Sequence, residues 1–253
     1  MSTGRTAVVV GGSRGIGRAI SGLLAETHST VAIVYRSDEA AAAETARLVE
    51  ARGARALPVR ADMRDAPAIA AALEELAQRT GSLDTFVHTA GALTDWKFLR
   101  DMTPQGWRDH IDSDLNGFFN AVSPALRIMH AQGSGNIVAI TSISPRAAAP
   151  HSAQSAASKA GVEAMIRVIA REEGRHGIRA NAVAPGLTET DQGRQAMEHW
   201  GPEGTKRVLA QSAIPRMGTA EEVAQVVAFL VSPAASYVTG RVVIADGGQF
   251  LSA

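Results

Sequence analysis

A serine and a lysine one helical turn apart, in a run of small residues, are the first groups in this chain whose types and spacing suggest chemistry. In SAQSAASKAG (residues 152–161), Ser155 and Lys159 stand at i and i+4, which places them on one face of a helix. An ammonium group held there can bind an anion or a sugar hydroxyl and can lower the pKa of a neighbouring acid. The spacing is one residue longer than the Ser-x-x-Lys of serine hydrolases, so it is not read as that nucleophile. The second chemical feature is glycine. VGGSRGIGRAI (residues 10–20) sets Gly11, Gly15 and Gly17 in a G-x-x-x-G-x-G pattern between an apolar run and a helical pattern. Glycines there permit positive φ and a close backbone approach to a pyrophosphate, and a helix N-terminus adds free N–H groups and partial positive charge.

The loop Gly11, Ser13, Arg14, Gly15, Ile16 and Gly17 is therefore expected to cradle a dinucleotide. A rival reading takes Gly11–Gly15 as the G-x-S-x-G nucleophile elbow of a hydrolase. That motif would normally follow several strands, and here it follows the first. The kind of nucleotide is read at the end of the second apolar run, Tyr35-Arg36-Ser37. A reader of NAD places a carboxylate at that point, and here no acid appears before Asp38. Arg36, next to Ser37 and with Arg14 across the loop, would instead clamp a 2′-phosphate, so NADP(H) is expected.

These groups need a scaffold, and the pattern supplies one. Short β-branched runs at residues 6–11, 30–35, 54–59, 83–91, 135–142, 178–185 and 241–248 alternate with helical patterns. The helices are expected near 15–27, 38–52, 66–80, 107–132, 155–174 and 220–231. Runs such as AVVV and VAIV are continuously apolar, as strands buried on both faces must be. The expectation is one α/β domain over residues 1–253, a Rossmann-type doubly wound parallel sheet. Residues 186–214 have the weakest periodicity and include Trp200, so a substrate lid is expected there.

Composition narrows the partners. The 253 residues carry 25 basic and 25 acidic side chains, which leaves no electrostatic footprint for nucleic acid or an anionic membrane surface. The absence of cysteine excludes disulfides, thiolate metal ligands and a thiol nucleophile, and no metal site is expected. No apolar run approaches the roughly 20 residues of a membrane span, so a cytoplasmic protein is expected.

Several motifs, taken together, resemble the short-chain dehydrogenase/reductase family over nearly the whole chain. They are GGSRGIG, Ala61-Asp62, Thr89-Ala90-Gly91, Ile140-Thr141-Ser142, SKAGVEAM, NAVAPG and SYVTGRVVIADGG. The resemblance implies a homotetramer or homodimer. It also implies that Asp62 and Met63 hold the adenine, that His88, Ala90 and Gly91 flank the ribose, and that Pro185, Gly186, Thr188 and Thr190 flank the nicotinamide. Of the family's four catalytic groups, Ser142 matches the serine that polarises the substrate oxygen. Lys159 matches the lysine that holds the ribose.

The other two positions differ. Ser155 stands where the family has its proton-donating tyrosine, and Asp114, with Asn116 two residues on, stands where it has an asparagine. A serine hydroxyl is a far weaker acid than a phenol, and general acid catalysis is typically worth ~10²–10⁴-fold. One branch, the 2,4-dienoyl-CoA reductases, resembles this arrangement and needs no phenol. The expected substrate is therefore an activated alkene, an enoyl or dienoyl thioester or a related small molecule, with Asp114, water and Lys159 supplying the proton. Two readings stay beside it: a 3-oxoacyl-type carbonyl reductase with a surrogate acid such as His151, and a cofactor-binding protein without redox turnover.

Overall fold

The computed structural model describes residues 4–251. Seven strands follow the expected order along the chain: β1 (Thr6–Val10), β2 (Thr30–Tyr35), β3 (Arg55–Arg60), β4 (Thr85–His88), β5 (Gly135–Ile140), β6 (Ile178–Pro185) and β7 (Val242–Ala245). They form one sheet in the spatial order β3-β2-β1-β4-β5-β6-β7, with every neighbouring pair parallel. Successive side chains of a strand point to opposite faces. Val8, Val10, Ala32 and Val34 accordingly enter one core, while Ala7, Val9, Val31 and Ile33 enter the other. Both faces are covered, which is why these strands read as unbroken apolar runs rather than alternating ones.

The helices are α1 (Gly15–Leu24), α2 (Glu39–Ala51), α3 (Ala66–Thr80), α4 (Pro104–Ile111), α5 (Gly117–Gln132), α6 (Ser144–Ala147), α7 (Ala153–Glu173), α8 (Asp191–Leu209) and α9 (Ala220–Val231). One expectation is corrected. The single helix anticipated over 107–132 is α4 and α5 joined through a wider π-helical turn, Asp112–Asn116. Such a turn inserts one extra residue into the helical ladder and is frequent at functional sites. Residues 186–214, the expected lid, contain α8. Its weak periodicity has a cause: Gly201 (φ 66°), followed by Pro202, breaks the helix in two.

Strand order reverses between β1 and β4, and in such sheets ligands bind beyond the carboxyl ends of the strands at that switch point. The two loops that start there are tied together. Thr89 Oγ1 donates to the carbonyls of Val10 and Gly11, each at 3.0 Å.

Candidate active site

At the switch point the glycine pattern is required by space. A Cβ on Gly17 would lie 2.1 Å from the carbonyl oxygen of Gly11, and one on Gly11 (φ +81°) would lie 2.7 Å from the amide of Ala90. Gly15 (φ +49°) faces the Thr190 methyl. The start of α1 has no side-chain cap and no acid in its first turn, whereas Asp38, Asp65, Thr190 and Thr219 cap α2, α3, α8 and α9. Open N–H groups at this helix end fit the pyrophosphate of a dinucleotide. Ser13 is buried, and its carbonyl accepts the Thr45 hydroxyl at 2.9 Å. Its side chain is therefore not displayed as an elbow nucleophile, while Ile16 packs into the core on the α1 side.

The exposed end of β2 carries Arg36 and Ser37. Arg14 approaches the same edge, 3.5 Å from the Asp38 carboxylate. Other expected cofactor residues are placed differently. Arg64 Nε donates to Asp62 Oδ1 and its Nη2 to Oδ2, which keeps the Asp62 pKa low. Met63 is buried against Gly117, and its carbonyl accepts Asn120 Nδ2 at 3.0 Å. His88 is 1% exposed and packs edge-on to Phe118 at 5.1 Å. Burial first, then the nearby Lys159 charge, push its pKa down to about 3, against the opposing pull of Asp114. Its neutral ring faces the core, leaving Ala90 and Gly91 to border the loop. At the far side, Ile143 N–H bonds the Pro185 carbonyl at 3.2 Å, and Gly186 lies close against Asp246. Buried Thr188 donates to Gly186 O, and Thr190 caps α8 directly over Gly15.

The reacting groups converge from four elements. Lys159 Nζ lies 2.9 Å from Asp114 Oδ2, an ion pair in which the carboxylate is 1% exposed and the lysine 9%. Ala92 N–H donates to Oδ1 of Asp114, and the Ser158 hydroxyl approaches Oδ2 at 3.4 Å. Burial works to raise the Asp114 pKa. Lys159, His110 and the Ala92 amide together outweigh burial and hold it below the ordinary carboxylate value. Gly91 leaves room for this pair, since a Cβ there would stand 3.1 Å from both Asp114 Oδ1 and Lys159 Nζ. Ser142 Oγ accepts the Ser144 backbone amide at 3.0 Å, and Ser144 Oγ meets Ser155 Oγ at 3.4 Å, one helical turn before Lys159 on α7.

Two candidates fall outside this group. Asn116 is exposed and donates to Asp112 Oδ1 at 2.6 Å, on the far side of the π turn, where it lines a cleft of about 770 Å³ with Asp62 and Arg64. The π turn aims Asp114 inward and Asn116 outward. His151 (φ +66°) is turned toward α8: its Nδ1 lies 3.2 Å from His199 Nε2, and Phe98 packs on its ring at 4.1 Å. Trp96 stacks on His199 and meets Trp200 edge-on. The expected lid is thus anchored by aromatic contacts to the loops after β4 and β5, and His151 belongs to that contact. Sequence reasoning passed over His110, which lies 3.5 Å from Asp114 Oδ2. Its i, i+4 spacing from Asp114 on a helical pattern was the available signal.

A family profile described as enoyl-(acyl carrier protein) reductase matches residues 10–249. The chain is 35% identical to the 3-oxoacyl-[acyl-carrier-protein] reductase FabG of Staphylococcus aureus over 251 residues, 99% of this chain and all of that protein. It is 38% identical to the cis-4-hydroxycyclohexanecarboxylate dehydrogenase of Sinomonas cyclohexanicum, with 96% of each covered. The crystal structure of levodione reductase superposes with a TM-score of 0.92 at 32% identity, covering 97% of each chain. With the sheet order and the glycine cradle, these matches define a nicotinamide-dependent oxidoreductase fold. The chain belongs to the short-chain dehydrogenase/reductase family.

Proposed function

We propose that this oxidoreductase uses NADP(H) to interconvert a carbonyl and a secondary alcohol on a small molecule or a thioester-linked acyl group. The observation that carries this reading is the buried Asp114–Lys159 pair at 2.9 Å, set beside the Ser142–Ser144–Ser155 hydroxyls. The relatives support it, since their names describe reductases of a 3-oxoacyl group and of levodione and a dehydrogenase of a hydroxy acid. The exposed arginines Arg14 and Arg36, at the edge where an acid would select NAD, support the phosphorylated dinucleotide.

The bound dinucleotide supplies or accepts hydride. The chain does the rest. Ser142 presents its hydroxyl to the substrate oxygen, where charge develops as the bond order changes. Lys159 holds the ribose and stays oriented by Asp114. The proton for the alkoxide comes from Lys159 through water, which leaves a neutral amine beside the Asp114 carboxylate until solvent returns the proton. Ser155 adds a second hydroxyl to the oxygen site and leaves the volume of a phenol ring free for substrate or water. The same reading carries assembly into two or four copies, which light scattering checks.

Ser155 also favours a second reading, in which hydride adds to a conjugated C=C and the site stabilises an enolate without a phenol. NADPH oxidation with acetoacetyl-, crotonyl- and sorbyl-thioesters and a cyclic ketone separates the two. Turnover of the ketones supports carbonyl reduction, and turnover of the alkenes alone replaces it with the second reading. Tight NADPH binding with no oxidation of any of them rejects both. Ser155→Tyr should raise ketone turnover at least tenfold if the missing phenol limits the wild type.

A further inference from the structure

His110, buried to 5% exposure on α4, faces the ion pair of the active site without being part of any established role. Its Nε2 lies 3.5 Å from Asp114 Oδ2, the same oxygen that Lys159 Nζ contacts at 2.9 Å. Nε2 has no hydrogen-bond partner. Asp114 Oδ1 is already engaged by Ala92 N–H, so Oδ2 is the atom for which the two nitrogens compete. A buried polar atom without a partner, held just beyond bonding distance of a carboxylate, is a contact poised to form.

We infer that His110 is a positioning residue that competes with Lys159 for Asp114 Oδ2 and so sets the acid limit of the site. As a neutral imidazole it leaves Oδ2 to the lysine, which stays fixed. As an imidazolium it forms a charge-assisted bond to Oδ2 and weakens the hold on Lys159. The charged groups acting on His110 are Asp114 from the π turn and Lys159 from α7. Neutral His88 from β4 stands beside both. Burial, opposed next by the attraction of Asp114 and helped least by the repulsion of Lys159, keeps the His110 pKa below the ordinary value of 6.5. The neutral arrangement therefore prevails at pH 7, and the competing one is populated only on acidification.

Two measurements test this, and the first uses the apoprotein. In ¹³C-labelled protein the His110 ring signal is followed through a pH titration in the wild type and in Lys159→Met. Removing the rival cation should raise the proton affinity of His110 at least tenfold, and an unchanged titration overturns the proposal. The second rests on the reading of Lys159 as a cofactor ligand, and it remains decisive if Lys159→Met does not fold. NADP⁺ affinity is measured calorimetrically at pH 7.5 and 5.5 for the wild type and His110→Gln. The cofactor's own 2′-phosphate titrates in both proteins and cancels in the comparison. The wild type should lose several-fold more affinity on acidification than His110→Gln, within the roughly tenfold ceiling that a single group titrating below 6.5 sets, and equal losses overturn the proposal. If NADP⁺ binds neither protein, the cofactor reading fails while the titration of His110 still decides this one.

Discussion

The glycine loop after β1 and the Asp114–Lys159 pair sit at the same end of the sheet, yet they are built on opposite principles. The loop uses residues within seven positions of one another, has almost no side-chain chemistry, and presents backbone N–H groups at a helix end left uncapped. The ion pair joins residues 45 positions apart. It buries two charges and depends on Gly91 and Ala92 from the loop after β4, on His110 from α4, and on Ser158 beside Lys159 on α7. A dinucleotide's phosphates are recognised by an open backbone, which local sequence can specify. A proton-handling carboxylate needs a protected, charge-balanced pocket, which only several elements together can make.

If the ion pair is as buried as its exposure indicates, breaking it should have the largest effect on stability. Lys159→Met leaves the Asp114 charge unpaired and should cost about 3–5 kcal/mol in urea denaturation. Asp114→Asn in the same chain should recover most of that loss, and an additive double variant would contradict the pairing. In the loop, Gly17→Ala drives a methyl into the Gly11 carbonyl. Dinucleotide affinity should fall at least ~100-fold, about 2.7 kcal/mol, with a smaller change in melting temperature. Affinity within threefold of wild type would mean that the cradle does not hold the cofactor.

Buried neutral histidines lie at both ends of the sheet, His88 beside the ion pair and His28 at the opposite end, where β4 begins. His28, bonded to Thr85 at 2.9 Å, is held at about 4 by burial first and then by Arg5. His88 is held at about 3. Both lie below the unfolded value, so their contribution to stability is complete above pH 6.5 and is lost as pH falls toward the folded values. At pH 5 each should cost about 2 kcal/mol. Denaturant midpoints across pH 7.5 to 5, with His88→Leu removing about half of the loss, check the sign and the share. A smaller effect concerns cofactor choice. Arg36→Asp should shift the NADP(H)/NAD(H) preference at least tenfold toward NAD(H), about 1.4 kcal/mol, and an unchanged ratio in binding assays would remove Arg36 from the site. The smallest is remote from both regions: Thr219→Ala breaks the capping box with Glu222 at the start of α9 and should cost about 1 kcal/mol without altering NADP⁺ affinity.

Much of the scaffold was legible because period and punctuation carry it. The seven apolar runs became seven strands in the anticipated order, and Gly11, Gly15 and Gly17 stand at the turn where their spacing put them. The site was legible only in part. Lys159 pairs with Asp114, and Ser142 and Ser155 both contact Ser144. Asn116 faces away, and Met63 and His88 point into the core. A helical pattern states which residues share a face, and a strand pattern states which alternate. Neither says that a π turn will separate Asp114 from Asn116, or which face of β4 carries the buried imidazole.

The amino-acid sequence by itself determined the alternation of strands and helices, the glycine turn at the first crossover, and the identity of the lysine on α7. These follow from local backbone preference, apolar periodicity and the space only glycine leaves free. The tertiary structure alone decided that Asp114 is buried and paired, that His110 faces the same oxygen, and that Trp96, His151, His199 and Trp200 fasten α8 over the loops. Those depend on electrostatics and packing between segments far apart in the chain, where the energy of a group is set by what surrounds it rather than by its neighbours in sequence.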